Sequence, residues 1–284
     1  AGGALFAAWP TAYAVSFSSM YFALLLTLFA MFLRPLGFDY RSKLTNPKWR
    51  ENWDKALFIG GFVPALIFGV AFGNLLKGIP FHLENDMRIM YFGDLWGLLN
   101  SFSLLVGLVS VSMFIMHGAV YLQLKTVGDI NVRAQKAVLK FGLATLALFA
   151  VVGYWITILD GYHIVTEIFP NAASNPLAKF VKREPGLWLD NYGHLPWLMA
   201  VPATAFISGL ITIAFSLFNR PGRAFISSSL TVACIILTAG CSMFPFLIPS
   251  SISANSSLTV WDASSSQTTL NMMFWVTIVF LPLI

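Results

Sequence analysis

The sequence predicts an all-α fold, a polytopic transmembrane helical bundle, and three observations lead to it. Hydrophobic residues make up 57% of the 284 residues and charged residues only 10%, whereas a soluble domain carries about 25% charged residues. Apolar runs of about 20 residues, long enough to span a bilayer, alternate with charged loops. Backbone amides in hydrocarbon need internal partners, so the runs are expected to be helices, and the short alternating segments of an outer-membrane barrel do not occur.

Six complete spans and two shorter apolar runs are expected along the chain. The complete spans are predicted at residues 12–33, 56–76, 98–121, 137–159, 196–218 and 225–247. Residues 1–9 have the pattern of the tail of a helix that begins earlier. Residues 269–284 give about 24 Å of helix, where the hydrocarbon core needs about 30 Å. We therefore expect residues 1–284 to form a single membrane domain, truncated at both ends.

Arginine and lysine alternate between rich and poor loops, and this pattern predicts the orientation. The rich loops are 34–55, 122–140 and 219–224, and the poor loops are 77–97, 160–195 and 249–268. The rich set holds twelve basic residues against five, so it is expected to be cytoplasmic. The net charge of +5 therefore reflects topology, and no nucleic-acid partner is expected. The aromatic residues expected in an interfacial belt on the outer side are Trp96, Trp188, Tyr192, Trp197 and Trp261.

His117, in the stretch "SMFIMHGAVYLQLKT", is the clearest ionisable residue within a span. Three interpretations are open: a haem or metal ligand, a proton or hydrogen-bonding group at an interface, or an interior histidine bonded to a carbonyl or a hydroxyl such as Ser110 or Ser112. Axial ligation by two histidines needs a second one facing the first. The other histidines lie in predicted outer loops, on the opposite side, so a haem ligand pair within this chain is not expected. The other histidines are His82, His163 and His194.

The loop after the first span is dense in charged and aromatic residues. Arg34-Pro35 is expected to end the helix, because the residue before proline disfavours the α conformation, and Gly37 is expected to permit a tight reversal. Asp39 and Asp54 can pair with the arginines. The loop is either a simple connector or a surface that docks on a partner near a buried cofactor. The residues assigned to that surface are Arg34, Asp39, Arg41, Trp53 and Asp54.

Two further features concern the last third of the chain. Asp262 lies in a loop that has no basic residue, so its partner is expected in another chain or in water, and "DASS" resembles an N-cap for the last helix. Cys234 and Cys241 are seven residues apart in one span, roughly 10 Å along a helix, which is too far for a mutual disulfide. No P-loop, GxGxxG, Cys-x-x-Cys-His or HExxH pattern occurs, so no catalytic or metal-binding residue is assigned.

Seven separated strings, in order along the chain, resemble subunit II of the cytochrome bd-type quinol oxidases. They are "FLRPLGFDYRSK", "WRENWDKALF", "VPALIFGVAFGNLLKGIPF", "HGAVYLQLKTVGDI", "ASNPLAKFVKREPGLWL", "SSLTVACIILTAGCSMFPFLIPSS" and "SLTVWDASSSQTTLNMM". The resemblance implies a subunit of a quinol:oxygen oxidoreductase whose haems b and haem d are liganded by subunit I. It implies that Arg34 and Asp54 influence haem assembly at the subunit interface, and that His117 is an interface or packing group.

The resemblance also defines the expected partners and location. Subunit II is expected to support subunit I, to contribute to proton access, and in some members to hold a structural quinone. A small accessory subunit and membrane lipid are further expected partners, in the cytoplasmic (inner) membrane of a bacterium or archaeon. The alternatives are a secondary transporter or channel, against which the scarcity of acidic residues inside the spans argues, and a pure assembly scaffold.

Overall fold

The computed structural model describes residues 2–167, 174–280 and 283, and long helices dominate it. The helices are α1 (Gly2–Ala8), α2 (Pro10–Ser19), α3 (Tyr21–Tyr40), α4 (Pro47–Lys77), α5 (Leu95–Leu98), α6 (Ser101–Lys125), α7 (Asp129–Ile156), α8 (Asp190–His194), α9 (Ala200–Leu217), α10 (Pro221–Met243) and α11 (Gln267–Phe280). Within the described ranges, six segments are long and apolar enough to cross a membrane: Tyr21–Tyr40, Pro47–Lys77, Ser101–Lys125, Asp129–Ile156, Pro196–Leu217 and Pro221–Met243. The predicted helical transmembrane bundle is therefore confirmed.

Helix α6 lies at the centre of the bundle. It packs against α4, α7 and α10, and α9 packs against both α7 and α10. Of the most apolar 18 residues of α6, 56% are buried, whereas the corresponding figure for α3 is 17%. Within this chain α3 packs mainly on α4, so most of its apolar surface is left for lipid or for another protein.

Glycines on α4 allow α6 to approach it closely. A Cβ atom added to Gly73 would lie 2.5 Å from the Cα of Ser103, and one added to Gly69 would lie 2.7 Å from the Cα of Gly107. Small residues at such contacts let two membrane helices pack backbone against backbone. The short distance between α4 and α6 therefore depends on the absence of a side chain at Gly69 and at Gly73.

The helix break near the start of the chain differs from the prediction. We expected a span at 12–33, but the chain bends at Met20, where φ is −105° and ψ is 20°. Helix α2 ends before this residue, and α3 runs from Tyr21 to Tyr40. Ala12 and Val15 of α2 are buried against the loop residues Phe81, Ile248 and Leu258. This packing holds α2 in place and so competes with a straight continuation into α3.

The prediction that Arg34-Pro35 ends this helix is wrong. Pro35 lies inside α3, and Arg41 N still donates to Gly37 O at 3.1 Å. Membrane helices tolerate an internal proline when neighbouring groups satisfy the freed carbonyl. Gly37 is likewise not a turn residue: a Cβ atom there would lie 2.6 Å from the side chain of Leu57, so its role is close packing on α4.

The two shorter apolar runs at the chain ends form α1 and α11, which pack against each other. Ser265 N donates to Ala8 O at 2.8 Å and so joins the start of the last helix to the end of the first. Residues 1, 281, 282 and 284 of the predicted partial spans lie outside the described residues.

Within the described residues, three short antiparallel hairpins form in the predicted outer loops and at the end of the predicted span 225–247, where α10 already stops at Met243. Their strands pair as β1 (Phe81–Leu83) with β2 (Ile89–Tyr91), β3 (Asp160–Ile164) with β4 (Val181–Pro185), and β5 (Phe246–Ile248) with β6 (Leu258–Thr259). We call these hairpins, together with the described residues that connect them to each other and to the spans, the cap. The sequence predicts loops here, because strands of two to five residues are too short to show a clear alternation of apolar and polar residues.

Long-range hydrogen bonds lock the three hairpins of the cap together. Ile79 N donates to Pro249 O at 2.9 Å, and Leu83 N donates to the hydroxyl of Ser256, 173 residues away, at 3.2 Å. The hydroxyl of Tyr162 donates to Ser250 O at 3.0 Å, and burial raises the pKa of this tyrosine to about 12. The cap is therefore a folded unit rather than a set of independent loops.

Two residues predicted for the interfacial belt are instead part of the core beneath the cap. Trp188 is 1% exposed and its indole N–H donates to Leu76 O at 3.0 Å, and Tyr192 is 5% exposed. Trp96 and Trp197 are 76% and 68% exposed, as expected for a belt. Indole and phenol groups suit both settings, since each needs a single polar partner.

Candidate functional site

The connection between α3 and α4 brings together some of the charged residues assigned to a docking surface. Arg41 Nε lies 2.5 Å from Asp54 Oδ1, and Arg41 Nη2 lies 3.1 Å from Asp54 Oδ2. The side chains are 43% and 51% exposed, and an ion pair this exposed contributes little to folding stability. The pair does, however, fix the geometry of the turn between the two helices.

An aromatic cluster surrounds this ion pair. The ring centres of Trp53 and Tyr40 are 5.7 Å apart and nearly parallel, and those of Trp53 and Trp49 are 5.9 Å apart. The indole N–H of Trp49 donates to Tyr40 O at 2.8 Å. Tryptophan and tyrosine favour the headgroup level of a bilayer, so the cluster holds the charged turn at that level.

Arg34 and Asp39 do not join the ion pair. Arg34 is exposed along α3, and its side chain lies beside Gly60 of α4, where an added Cβ would be 2.9 Å from Arg34 Cγ. Asp39 is also exposed, and neither residue makes an ion pair with the part of the chain that is described. Asp54 thus finds its arginine at position 41. The predicted docking surface remains a prediction for all five residues.

His117 is bonded to a hydroxyl group, as one of the three interpretations expected, but the hydroxyl belongs to another helix. Its Nδ1 lies 2.9 Å from the Oγ of Ser228 on α10, and its ring stacks on Phe225 with the centres 5.0 Å apart. Ser110 and Ser112 instead bond to carbonyl oxygens. The residue therefore links α6 to α10.

The hydroxyl of Ser228 is shared between His117 and a backbone carbonyl. The Ser228 hydroxyl carries one proton and donates it to Phe225 O at 2.9 Å. While that proton is on Phe225 O, the hydroxyl accepts from Nδ1 of the imidazole, and if the hydroxyl turns its proton to Nδ1 the imidazole is the acceptor. This arrangement suits a hydrogen-bonding or packing role.

The remaining histidines lie in the cap, at the opposite end of the spans from His117. His82 is in β1, His163 is in β3 and forms a 3.2 Å contact with Asp190, and His194 ends α8. In residues 2–167 and 174–280 no three His, Cys, Asp or Glu side chains are grouped so that they could share a metal ion. Cys234 and Cys241 are both free thiols.

A half-open cavity of about 450 Å³ lies between the helices, in the half of the bundle next to the cap. Its wall is almost entirely apolar and is built by five spans and the cap. Residues that line it include Phe68, Phe72, Val109, Met113, Phe149, Val152, Pro202, Phe206, Ile235 and Ala239. Pockets for small organic ligands have this size and this apolar character.

Polar groups are found at the outer end of the cavity. The Tyr192 hydroxyl donates to Thr238 O at 3.2 Å and lies 3.1 Å from the hydroxyl of Ser242. Burial raises the pKa of Tyr192, so it stays a neutral hydrogen-bonding group. The cavity can therefore accept an apolar chain that carries a hydrogen-bonding head.

Asp262 forms a buried ion pair within the cap. The expectation that its partner lies in another chain or in water is therefore wrong. Lys179 Nζ lies 2.7 Å from Asp262 Oδ2, with the side chains 9% and 16% exposed. Burial lowers the pKa of Lys179, and the carboxylate of Asp262 opposes that shift. The partner thus comes from a different outer loop of the same chain. Asp262 also accepts from Thr259 N at 2.9 Å. The residue that caps the start of α11 is Ser266, whose hydroxyl accepts from Thr269 N.

Within the described residues, six segments long and apolar enough to cross a membrane are joined by a folded cap and enclose part of an apolar cavity, which is the architecture of a polytopic membrane protein. The family model described as "Cytochrome bd terminal oxidase subunit II" matches residues 1–284. The chain therefore belongs to the cytochrome bd terminal oxidase subunit II family, and it is a subunit of a membrane-bound oxidoreductase, as the sequence strings indicated.

Individual relatives agree with this assignment. The chain is 51% identical to "Cytochrome bd-I ubiquinol oxidase subunit 2" of Escherichia coli K12, over the whole chain and 75% of the relative. It is 49% identical to "Probable cytochrome oxidase subunit 2" of Haemophilus influenzae, over 99% of the chain and 74% of the relative. The solved bd oxidase from Geobacillus thermodenitrificans has the same fold, with a TM-score of 0.63 and 16% identity over 96% of this chain and 77% of the solved one.

Proposed function

We propose that the chain is the supporting subunit of a quinol:oxygen oxidoreductase in which subunit I ligands the haems b and haem d. The observation that carries this proposal is the match to the family along residues 1–284, together with the 51% identity to a ubiquinol oxidase subunit 2. The positions of the four histidines support it, since His117 is bonded to Ser228 and the others lie at the far end of the bundle.

The proposal includes a location and further contacts. The complex would lie in the cytoplasmic (inner) membrane of a bacterium or archaeon, with residues 1–284 as its membrane domain, and a small accessory subunit would complete it. Proton access from the cytoplasm would involve His117, an ionisable group inside a span that is partly exposed. The poorly buried face of α3 and the Arg41–Asp54 turn would dock on subunit I.

The haem content of the purified complex tests the docking role. We expect the Asp54→Ala complex to show weaker haem bands in the reduced-minus-oxidised spectrum and a lower oxygen uptake, because an exposed pair adds little to folding and must act through the partner. Glu51→Ala is the matched control, since it removes an exposed pair with Lys55 at 2.7 Å on the same helix.

Two results would contradict the proposal. If the Asp54→Ala and Glu51→Ala complexes both keep the full haem spectrum, Asp54 has no docking role. If this polypeptide, separated from its partners, gives haem bands by itself, the assignment of all haems to subunit I is lost. The expected spectrum of the separated chain is featureless.

The apolar cavity supports the quinone part of the proposal. Its apolar wall suits an isoprenoid tail. The Tyr192 proton is bonded to Thr238 O, so the group that can donate to a quinone carbonyl at the cap end is the hydroxyl of Ser242. We expect Ala239→Phe, which adds a ring to the cavity wall, to lose the quinone that resists washing with detergent. Ala233→Phe is the control, because Ala233 is on the same helix and exposed.

The measurement is the quinone in a solvent extract of the washed complex. A quinone content that is equal in the Ala239→Phe and Ala233→Phe complexes would exclude the cavity as its site. The haem spectrum of both variants is recorded in parallel, so that loss of assembly is separated from loss of the ligand.

A further inference from the structure

A second, open groove lies on the outside of the bundle between α9 and α10. Residues that line it include Thr204, Ile207, Ile211, Phe215, Ile226 and Leu230. It has a volume of about 340 Å³ and is more open than the internal cavity. Ile207 and Ile226 are 58% and 73% exposed, so these side chains face the surroundings of the bundle, which at this depth are lipid.

The length of the groove matches one leaflet of a bilayer. From Thr204 to Phe215 it follows eleven residues of α9, which is about 16 Å at 1.5 Å per residue. Half of the hydrocarbon thickness is about 15 Å. The groove ends at the turn between α9 and α10, on the side where basic residues are concentrated. A lipid chain of the cytoplasmic leaflet would therefore fill it along its length.

The serine hydroxyls on the floor of the groove are paired within the protein. The hydroxyl of Ser227 donates to Ser208 O at 2.7 Å, and the hydroxyls of Ser208 and Thr231 lie 2.9 Å apart. These small residues keep the floor low between the larger apolar side chains on either side. Because their hydroxyls are already paired within the protein, an acyl chain can lie over them without leaving a buried polar group unsatisfied.

Two arginines stand at the cytoplasmic end of the groove. Arg223 lines the groove itself, with its guanidinium carbon 6.0 Å from the ring centre of Phe215, and Arg220 precedes α10. Both are exposed, and neither forms an ion pair with any residue that the structure describes. A guanidinium group binds a phosphate oxygen pair with two parallel hydrogen bonds.

The neighbouring connection adds to this positive charge. Gln135 at the start of α7 donates to Ser216 O at 2.8 Å, so α7 begins beside the end of α9. The first four turns of α7 carry three basic residues and one acid, which are Arg133, Lys136, Lys140 and Asp129. The cytoplasmic end of the groove is therefore strongly basic.

The geometry points to a binding site for an anionic phospholipid of the cytoplasmic leaflet, with one acyl chain in the α9–α10 groove and its phosphate on Arg220 and Arg223. The charge excludes a preference for a zwitterionic lipid, whose amine the two guanidinium groups would repel. The site is separate from the internal cavity and from the α3–α4 turn, so it goes beyond the function proposed above.

Lipid competition in the intact complex tests the site. The purified complex is placed in nanodiscs of phosphatidylcholine with increasing phosphatidylglycerol, and the lipid that stays bound after release from the disc is measured by native mass spectrometry. We expect Arg220→Gln/Arg223→Gln to need about 30-fold more phosphatidylglycerol for half occupancy, at about 1 kcal/mol for each cation. The control Lys43→Gln/Lys48→Gln removes the same charge at the α3–α4 connection.

A second pair of variants tests the groove apart from the charge. Ile211→Trp narrows the groove, whereas Leu210→Trp adds the same ring at the next position, which is 56% exposed and does not line it. We expect only the first to lose the bound lipid, and we expect glycerophosphoglycerol, the headgroup without chains, not to compete. Equal losses in the arginine and lysine doubles, or no preference for phosphatidylglycerol in the unaltered complex, would overturn the site.

Discussion

Replacing Lys179 with methionine is expected to destabilise the cap by about 3–5 kcal/mol, because it leaves the carboxylate of Asp262 buried without a partner. The two side chains are 9% and 16% exposed. In a thermal scan of the purified complex the apparent Tm of the Lys179→Met variant should fall by about 10 °C. Limited proteolysis from the outer side should cut the cap at a lower protease concentration.

The control for this effect is an ion pair of equal length on the surface. Lys182 and Glu184 are also 2.7 Å apart, but their side chains are 53% and 49% exposed, so Lys182→Met should leave the Tm nearly unchanged. The double variant Lys179→Met/Asp262→Asn should recover most of the loss, since it removes both buried charges and keeps a side-chain oxygen that accepts from Thr259 N. A double variant as unstable as Lys179→Met would show that the charge is not the cause.

The same pair gives a pH dependence of known sign in the Asp262→Asn variant. Burial already lowers the pKa of Lys179, and the carboxylate that opposes this shift is then gone. The folded variant therefore loses the lysine proton at a lower pH than the unfolded chain does. Between these two pKa values the unfolded state binds more protons, so the stability of the variant should rise with pH. A flat or falling Tm over that window would contradict this account.

Gly73→Ala should also destabilise the protein strongly, although alanine is the better helix former. The added Cβ would lie 2.5 Å from the Cα of Ser103, and a backbone atom cannot move aside as a side chain tip can. Overpacking of this kind costs about 1–3 kcal/mol, against a gain of up to about 1 kcal/mol in helix propensity. The apparent Tm of the complex should fall accordingly.

Gly61→Ala on the same helix is the matched control for Gly73→Ala. Nothing lies within 4 Å of a Cβ atom at Gly61, so only the gain in helix propensity remains and the Tm should stay level or rise. If both substitutions raise the Tm, α4 and α6 do not pack as closely as described. Gly69→Ala should behave as Gly73→Ala does, because it faces the Cα of Gly107.

The sequence predicts the parts of the fold that depend on hydropathy alone. Runs of apolar residues locate the six spans, since every backbone amide in hydrocarbon must bond within its helix. Boundaries fail where packing decides: Pro35 stays inside α3, and the chain bends at Met20 instead. Trp188 was expected at the interface, but its indole N–H finds a carbonyl in the core.

The candidate sites are harder to predict from the sequence, because they bring together residues that are far apart along the chain. One of the three interpretations of His117 named a nearby hydroxyl such as Ser110 or Ser112, but its partner Ser228 lies 111 residues away along the chain. Lys179 and Asp262 come from separate loops, and the only signal was that Asp262 had no base nearby. The internal cavity leaves no pattern in the sequence, because its volume is the space that five packed helices do not fill.

The long-range hydrogen bonds of the cap have a consequence for the folding of the protein while it is being synthesised. The β1–β2 hairpin is bonded to a residue 173 positions later in the chain. At a synthesis rate of about 5–20 residues per second, the first hairpin waits about 9–35 s before its partner is made. During that interval the nascent chain exposes an incomplete cap, to which proteases and holding chaperones have access.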